Sequence, residues 1–227
     1  MQIKNFPVNS KNSYVVFENN DKIEELEPFM KENKLSRVIF SGFLGYSKSV
    51  LPFNEDIDLI EEISIQCSNI TDLTSLYHLS NIKKISIEEN AVLAHPFDIR
   101  KIAKLTDFFT DDTLKIDGFF DHPTLKQLHI EPKKTKKLDI HNENNILESL
   151  SIANSHILDL SDCKKLTQLK GLYIAYLPKI EDINFILDMP TLTDIEICSC
   201  KKIDNLIATL AQKNNLEKLT LWNQGNL

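Results

Sequence analysis

Leu147-Glu148-Ser149-Leu150-Ser151-Ile152 and, 22 residues on, Leu169-Lys170-Gly171-Leu172-Tyr173-Ile174 share one pattern: an aliphatic, two variable residues, an aliphatic, one variable residue, an aliphatic. The same spacing joins Ile60, Ile63 and Ile65, then Ile82, Ile85 and Ile87, then Leu125, Leu128 and Ile130. It returns at Leu192, Ile195 and Ile197 and at Leu216, Leu219 and Leu221. Leu35, Val38 and Phe40 make a first member, and Leu105, Phe108 and Thr110 a degenerate one. The nine starts (35, 60, 82, 105, 125, 147, 169, 192 and 216) lie 20–25 residues apart. An accidental excess of Leu and Ile would not hold such a period.

In an extended chain alternate side chains face opposite ways, so the second and third aliphatics of each unit point to one side. One unit cannot bury its own apolar face. Stacked units pair their strands in parallel and share one core, each touching mainly its neighbours. The return segments keep apolar spacings of three or four: Ile70, Leu73, Leu76 and Leu79; Ile180, Ile183, Ile186 and Leu187; Ile203, Leu206, Ile207 and Leu210. They read as short 3₁₀ or α turns on the convex side.

The pattern resembles the leucine-rich-repeat superfamily, nearest the short 22-residue type of internalin-like bacterial proteins, over residues 35–227. The resemblance implies an α/β solenoid, a horseshoe with a parallel concave sheet. It also implies an Asn or Cys eight residues into each repeat, bonding loop backbone. Ser68, Asn90, Thr113, Lys133, Ser155, Leu177, Cys200 and Gln224 stand there, and only Asn90 and Cys200 match.

Residues 1–34 lie outside the repeat and read as an N-terminal cap, with a strand at 13–18 and a helix at 21–31. Asn20 or Asp21 is the expected N-cap, and Pro28, past the first turn, is expected to bend or break that helix. The solenoid spans 35–227 in a single structural domain, with an irregular insertion near 131–146 expected to project a strand or hairpin. Leu227 stands just past the last strand, leaving an edge available for pairing or partner contact. Lys133, Lys134, Lys136 and Lys137 read as a solvated loop.

The 227 residues are 42% hydrophobic and carry a net charge of −7, which disfavours phosphate backbones and anionic lipid and favours a basic partner. The segment from Met1 to Pro7 lacks the apolar run of a secretory signal, and no window is long enough to span a membrane. With four cysteines in no disulfide framework, the expected address is a reducing cytoplasm.

The register places nine carboxylates on the concave face (Glu62, Glu88, Glu89, Asp107, Asp111, Asp112, Glu131, Asp194, Glu196) against Arg37, Lys84 and Lys218. Phe109, Tyr173, Tyr176 and Trp222 share that face, with His129 nearby. Glu62, Glu88, Asp107, Phe109, Asp111, Glu131, Tyr173, Tyr176, Glu196 and Trp222 are the expected partner-binding residues. Aromatics anchor interfaces, and charges orient encounter.

No phosphate loop, nucleophile elbow or zinc helix occurs in the sequence, so no catalytic residue, metal or cofactor is expected. Cys198 and Cys200 fall at different register positions, against a shared metal site. His129, Asp139 and His141 converge only if the 131–146 segment folds back. The expected function is a protein-binding module without catalysis. The leading form is a cytoplasmic immunity-type inhibitor, monomeric when free, that neutralises a basic, nuclease-like toxin. A general scaffold or adaptor is the alternative.

Overall fold

A computed structural model describes residues 1–5, 12–89, 91–111, 113, 115–141 and 146–224. Its strands in chain order are β1 (Gln2–Asn5), β2 (Ser13–Val16), β3 (Arg37–Ser41), β4 (Glu62–Gln66), β5 (Lys84–Glu88), β6 (Phe97–Asp98), β7 (Asp107–Thr110), β8 (Ile116–Asp117), β9 (Gln127–Ile130), β10 (Ser149–Ala153), β11 (Gly171–Ala175), β12 (Asp194–Cys198) and β13 (Lys218–Trp222). Every aliphatic triplet delivers one strand, starting two residues after the triplet does. The degenerate repeat is no exception, with Thr110 fully buried where an aliphatic stands elsewhere.

The chain divides into two compact units, Met1–Asp117 and Gly118–Leu227. The first carries the sheet order β1-β2-β3-β4-β5-β7, the second β9-β10-β11-β12-β13. Apart from the antiparallel β1–β2 hairpin, these strands pair in parallel with no register slip. One column of the first unit stacks Val38, Ile63, Ile85 and Phe108. Its counterpart in the second stacks Leu128, Leu150, Leu172, Ile195 and Leu219. All are buried except Leu219 on β13. A backbone device locks the register. The carbonyl preceding a strand accepts two consecutive N–H groups of the next repeat: Glu61 O from Lys83 and Lys84, and Lys170 O from Thr193 and Asp194.

The return segments form 3₁₀ turns at Thr74–His78, Ile99–Lys101, Ser161–Lys165 and Asn184–Asp188, and a short helix, α2, at Leu206–Gln212. Four of these turns start from an aspartate whose Oδ1 accepts a backbone N–H two residues on. Asp72 takes Thr74, Asp98 takes Arg100, Asp159 takes Ser161 and Asp182 takes Asn184. The 3₁₀ geometry corrects the apolar spacing. At three residues per turn Ile183, Ile186 and Met189 point inward, whereas Leu187 is exposed. In α2 the 3.6-residue period buries Leu206 and Leu210 and turns Ile207 to solvent.

Three further expectations change. The helix near the N-terminus runs as a 3₁₀ turn at Ile23–Glu25 followed by α1 (Leu26–Asn33), and neither N-cap residue uses a side chain. Asp21 instead accepts bonds from the Met1 amine and the Glu18 N–H. Because α1 starts at Leu26, Pro28 lies in its first turn, where a missing N–H removes no helical bond, and the helix is not broken. The 131–146 insertion projects no hairpin among its described residues. Leu138 and Ile140 are buried, and Lys137 forms a parallel bridge with Asp159, as Val50 does with Asp72.

The polar ladder inside the loops is chemically mixed. Ser155 Oγ donates to Pro132 O and accepts from Ile157 N. Gln224 Oε1 accepts from Cys200 N while its Nε2 donates to Ile197 O. In the Ile60 repeat the role passes to Cys67, which is buried and donates to Tyr46 O, whereas Ser68 is exposed. Asn90 lies outside the described residues. Ser155→Ala would orphan a buried carbonyl and a buried N–H. It is expected to destabilise the chain by about 1–3 kcal/mol in chemical denaturation.

Candidate functional site

The strand positions that alternate with the core form an open sheet face in the second unit and over β5 and β7 of the first. Over β2–β4 they are covered, with Val16, Ile39 and Ser64 buried and Tyr14, Val16 and Ile39 packed as a second apolar cluster. In the first unit that face is heavily cross-bonded. Glu62 accepts from Arg37 Nε at 2.7 Å and from the Tyr14 hydroxyl. Burial, then the Glu62 bond, drives the Tyr14 hydroxyl pKa well above its ordinary value. Glu88 accepts from Ser86 Oγ at 2.7 Å and Gln66 Nε2 at 3.3 Å. Asp107 lies 3.4 Å from Lys84 Nζ and accepts from Thr106 Oγ1. Phe109 pairs in register with Ser86, and Asp111 follows β7, both half-buried. Asp112 lies outside the described residues. Glu62 and Asp107 are thus already matched by bases on the neighbouring strands.

In the second unit Glu131 accepts from Asn154 Nδ2 at 2.5 Å, and His129 Nδ1 contacts Ser151 Oγ at 2.7 Å. Tyr173 stands in register between Ser151 and Glu196, and Trp222 stands beside Cys198. Burial, then the nearby Cys198 and Glu196, raises the Tyr173 hydroxyl pKa. Trp222 is 67% exposed and Tyr176 54%.

The backbone leaves several strands through a left-handed residue. Glu89, Asn154, Tyr176, Ser199 and Asn223 stand seven residues after the start of their repeats with φ between 48° and 66°. Asparagine tolerates this region; tyrosine is strained there. An exposed aromatic held in a strained conformation is a feature that concentrates at binding sites.

Phe43 escaped the sequence reading. It stands 82% exposed in the 3₁₀ turn Gly42–Leu44, beside a recess of about 260 Å³ lined by Gln66, Cys67, Asn69 and Glu89. A signal was present, because an apolar residue in the run Ser41-Gly42-Phe43-Leu44-Gly45 directly follows a strand. Val92, 71% exposed, is a second such residue in this unit.

Among the described residues no three His, Cys, Asp or Glu side chains are grouped to hold a metal ion. His129 contacts Ser151 and Glu131, while Asp139 pairs with His141 at 2.9 Å on the exposed return segment. Cys200 is buried with Sγ toward the carbonyls of Cys198 and Ile174, and Cys198 is half-exposed. Burial pushes the Cys163 thiol up to about 12, which keeps it protonated and unreactive. No described helix is long and apolar enough to cross a membrane.

One sheet strand per repeat and 3₁₀ or helical turns in most of the returns, with aliphatics inward and a polar ladder in the loops, define a leucine-rich-repeat solenoid fold. No family model matches the sequence, and no curated protein matches it. Among solved structures the chain is similar to internalin C2 of Listeria monocytogenes, at 18% identity over 77% of this chain and 79% of that one, with a TM-score of 0.49. It is also similar to the internalin InlF of that organism, at 16% identity over 93% and 62% with a TM-score of 0.45. The functional domain of InlJ, also from Listeria monocytogenes and including a cysteine ladder, shows 14% identity over 94% and 54% with a TM-score of 0.45. This chain spans less than two thirds of the length of the last two.

Two outcomes follow from the geometry. Tyr176→Asn removes the left-handed strain while giving up little packing, and is expected to stabilise the chain by about 1 kcal/mol in denaturant titrations. Burial lowers the His129 pKa from its ordinary 6.5, against an opposing pull from Glu131. The fold therefore favours the neutral ring. Its contribution is present above pH 6.5 and is lost as pH falls and the unfolded chain binds the proton first. Stability measured at pH 7 and pH 5 should fall less in His129→Gln than in the parent.

Proposed function

We propose that this chain is a binding module without catalytic activity, docking a protein on the open sheet face and the aromatic edge beside it. The observation that carries the reading is Tyr173 in register with Glu196 on the next strand, with exposed Tyr176 directly after β11 and exposed Trp222 two strands along on β13. Rigid aromatics with carboxylates beside them are what an interface uses to anchor and orient a partner. The remaining proposed contacts are Glu62, Glu88, Asp107, Phe109, Asp111 and Glu131. The most specific form is a cytoplasmic immunity-type inhibitor, monomeric when free, that masks the nucleic-acid site of a basic toxin. A basic substrate groove holds a nucleic-acid backbone, so an acidic surface can occupy that groove.

A second reading has its own observation. With Glu62 and Asp107 matched by Arg37 and Lys84, and Phe43 and Val92 bare, the first unit favours a partner held by apolar contact. That partner fits a general adaptor better than a toxin decoy.

The test is affinity measured against a partner recovered with the tagged chain from its native cell. For a basic toxin, replacing Asp111 and Glu196 with Lys should weaken binding at least tenfold and flatten its salt dependence. Trp222→Ala should cost about 2 kcal/mol of binding. Binding untouched by the charge reversal but lost in Phe43→Ser with Val92→Ser selects the adaptor.

A further inference from the structure

Strand β11 carries the only glycine in its column. The position that opens each strand of the second unit holds Gln127, Ser149, Gly171, Asp194 and Lys218 in turn. Neither usual reason for a strand glycine applies. Gly171 has no positive φ. A Cβ built on it would meet Ser149 Oγ at 3.6 Å, an ordinary contact, so alanine fits. Glycine in a strand costs about 0.5–1 kcal/mol relative to alanine. Its positive effect is space: a recess of about 170 Å³ bounded by Ser149, Gly171, Tyr173, Asp194, Glu196 and Lys218. A strand glycine often marks the close approach of a ligand or another chain.

The acids lining this recess are not committed elsewhere. Glu62, Glu88, Asp107 and Glu131 are each bonded within their own unit. Asp72, Asp98, Asp159 and Asp182 are taken up at the starts of 3₁₀ turns. The side-chain carboxylates of Asp194 and Glu196 have no hydrogen-bond or ion-pair partner among the described residues, and the recess holds a single ammonium, that of Lys218, in register with Asp194. Two carboxylates outweigh one base. An anion is disfavoured, and the shortage of a third ligand disfavours a metal ion.

We infer that the Gly171 recess receives an arginine side chain of the protein partner. The aliphatic stem lies over the Gly171 floor, the guanidinium plane against Tyr173, and its donors meet the carboxylates of Glu196 and Asp194. A planar fork of donors satisfies two carboxylates and an aromatic wall at once; a lysine ammonium has neither the plane nor the fork. The inference rests on the docking reading and names the side chain that surface selects.

The full chain is titrated with blocked glycyl-arginyl-glycine, its lysine counterpart and its citrulline counterpart, following backbone amide shifts by NMR. The arginine peptide should saturate shifts at Gly171, Tyr173 and Glu196, with the lysine peptide weaker and the neutral citrulline peptide silent. Gly171→Ala should raise the denaturation midpoint while weakening arginine binding, so loss of fold cannot explain the loss. Gly171→Leu should weaken it at least tenfold, and Glu196→Gln about tenfold. Arginine shifts that survive Gly171→Leu, or that spread equally over Glu89 and Asp111, overturn the assignment. A protein partner that tolerates Gly171→Leu but loses affinity with Trp222→Ala overturns the recess and leaves the docking face standing. A partner indifferent to Trp222→Ala and to the charge reversal removes the docking face itself.

Discussion

Each repeat buries its aliphatics only against the repeat beside it. A single strand and its return turn make too small a core to close, so Ile63 depends on Val38 and Ile85, and Leu172 on Leu150 and Ile195. The in-register stacking follows from that dependence, because a slip of one residue would turn every aliphatic of a strand outward. The doubly accepting carbonyls ahead of the strands hold the same register from the backbone side. Once it is held, the alternate positions must turn to the other side of the sheet, which is covered over β2–β4 and open along the strands of the second unit, where their chemistry is free to vary.

That freedom is what a binding surface needs, and the carboxylates divide accordingly. Some serve the backbone: Asp72, Asp98, Asp159 and Asp182 satisfy N–H groups that open the 3₁₀ turns. Others are tied across strands, as Glu148 is between Lys126 and Lys170, and Glu62 is with Arg37. Such exposed pairs contribute little stability individually, but they cancel charge locally. Asp194 and Glu196, whose carboxylates have no partner among the described residues, share the second unit with Tyr173, Tyr176 and Trp222. A net charge of −7 therefore describes the molecule poorly; what matters is which carboxylates are unspent.

Reading along the chain located the strands because their signal is local and repeated. Three aliphatics at a constant offset define each one, and even Leu105, Phe108 and Thr110 formed a strand, since their neighbours supply the hydrogen bonds. The return segments were legible as turns but not in phase. Choosing between three and 3.6 residues per turn decides whether Leu187 or Met189 is buried, and apolarity alone does not distinguish them. Pro28 was misjudged because its effect depends on where α1 starts, a boundary that packing chooses.

The amino-acid sequence by itself determined the repeat and its register, since periodicity obliges alternate residues to part. Only the tertiary structure decided which of those residues are free to act. Arg37 reaches Glu62 across 25 positions of chain, and Cys67 displaces Ser68 from the loop ladder. The strain at Tyr176 and the hollow over Gly171 likewise depend on residues more than 20 positions away, Cys198 accepting from the Tyr176 N–H and Ser149 flanking the glycine. Pairing and exposure are properties of stacked neighbours, and one repeat does not contain them.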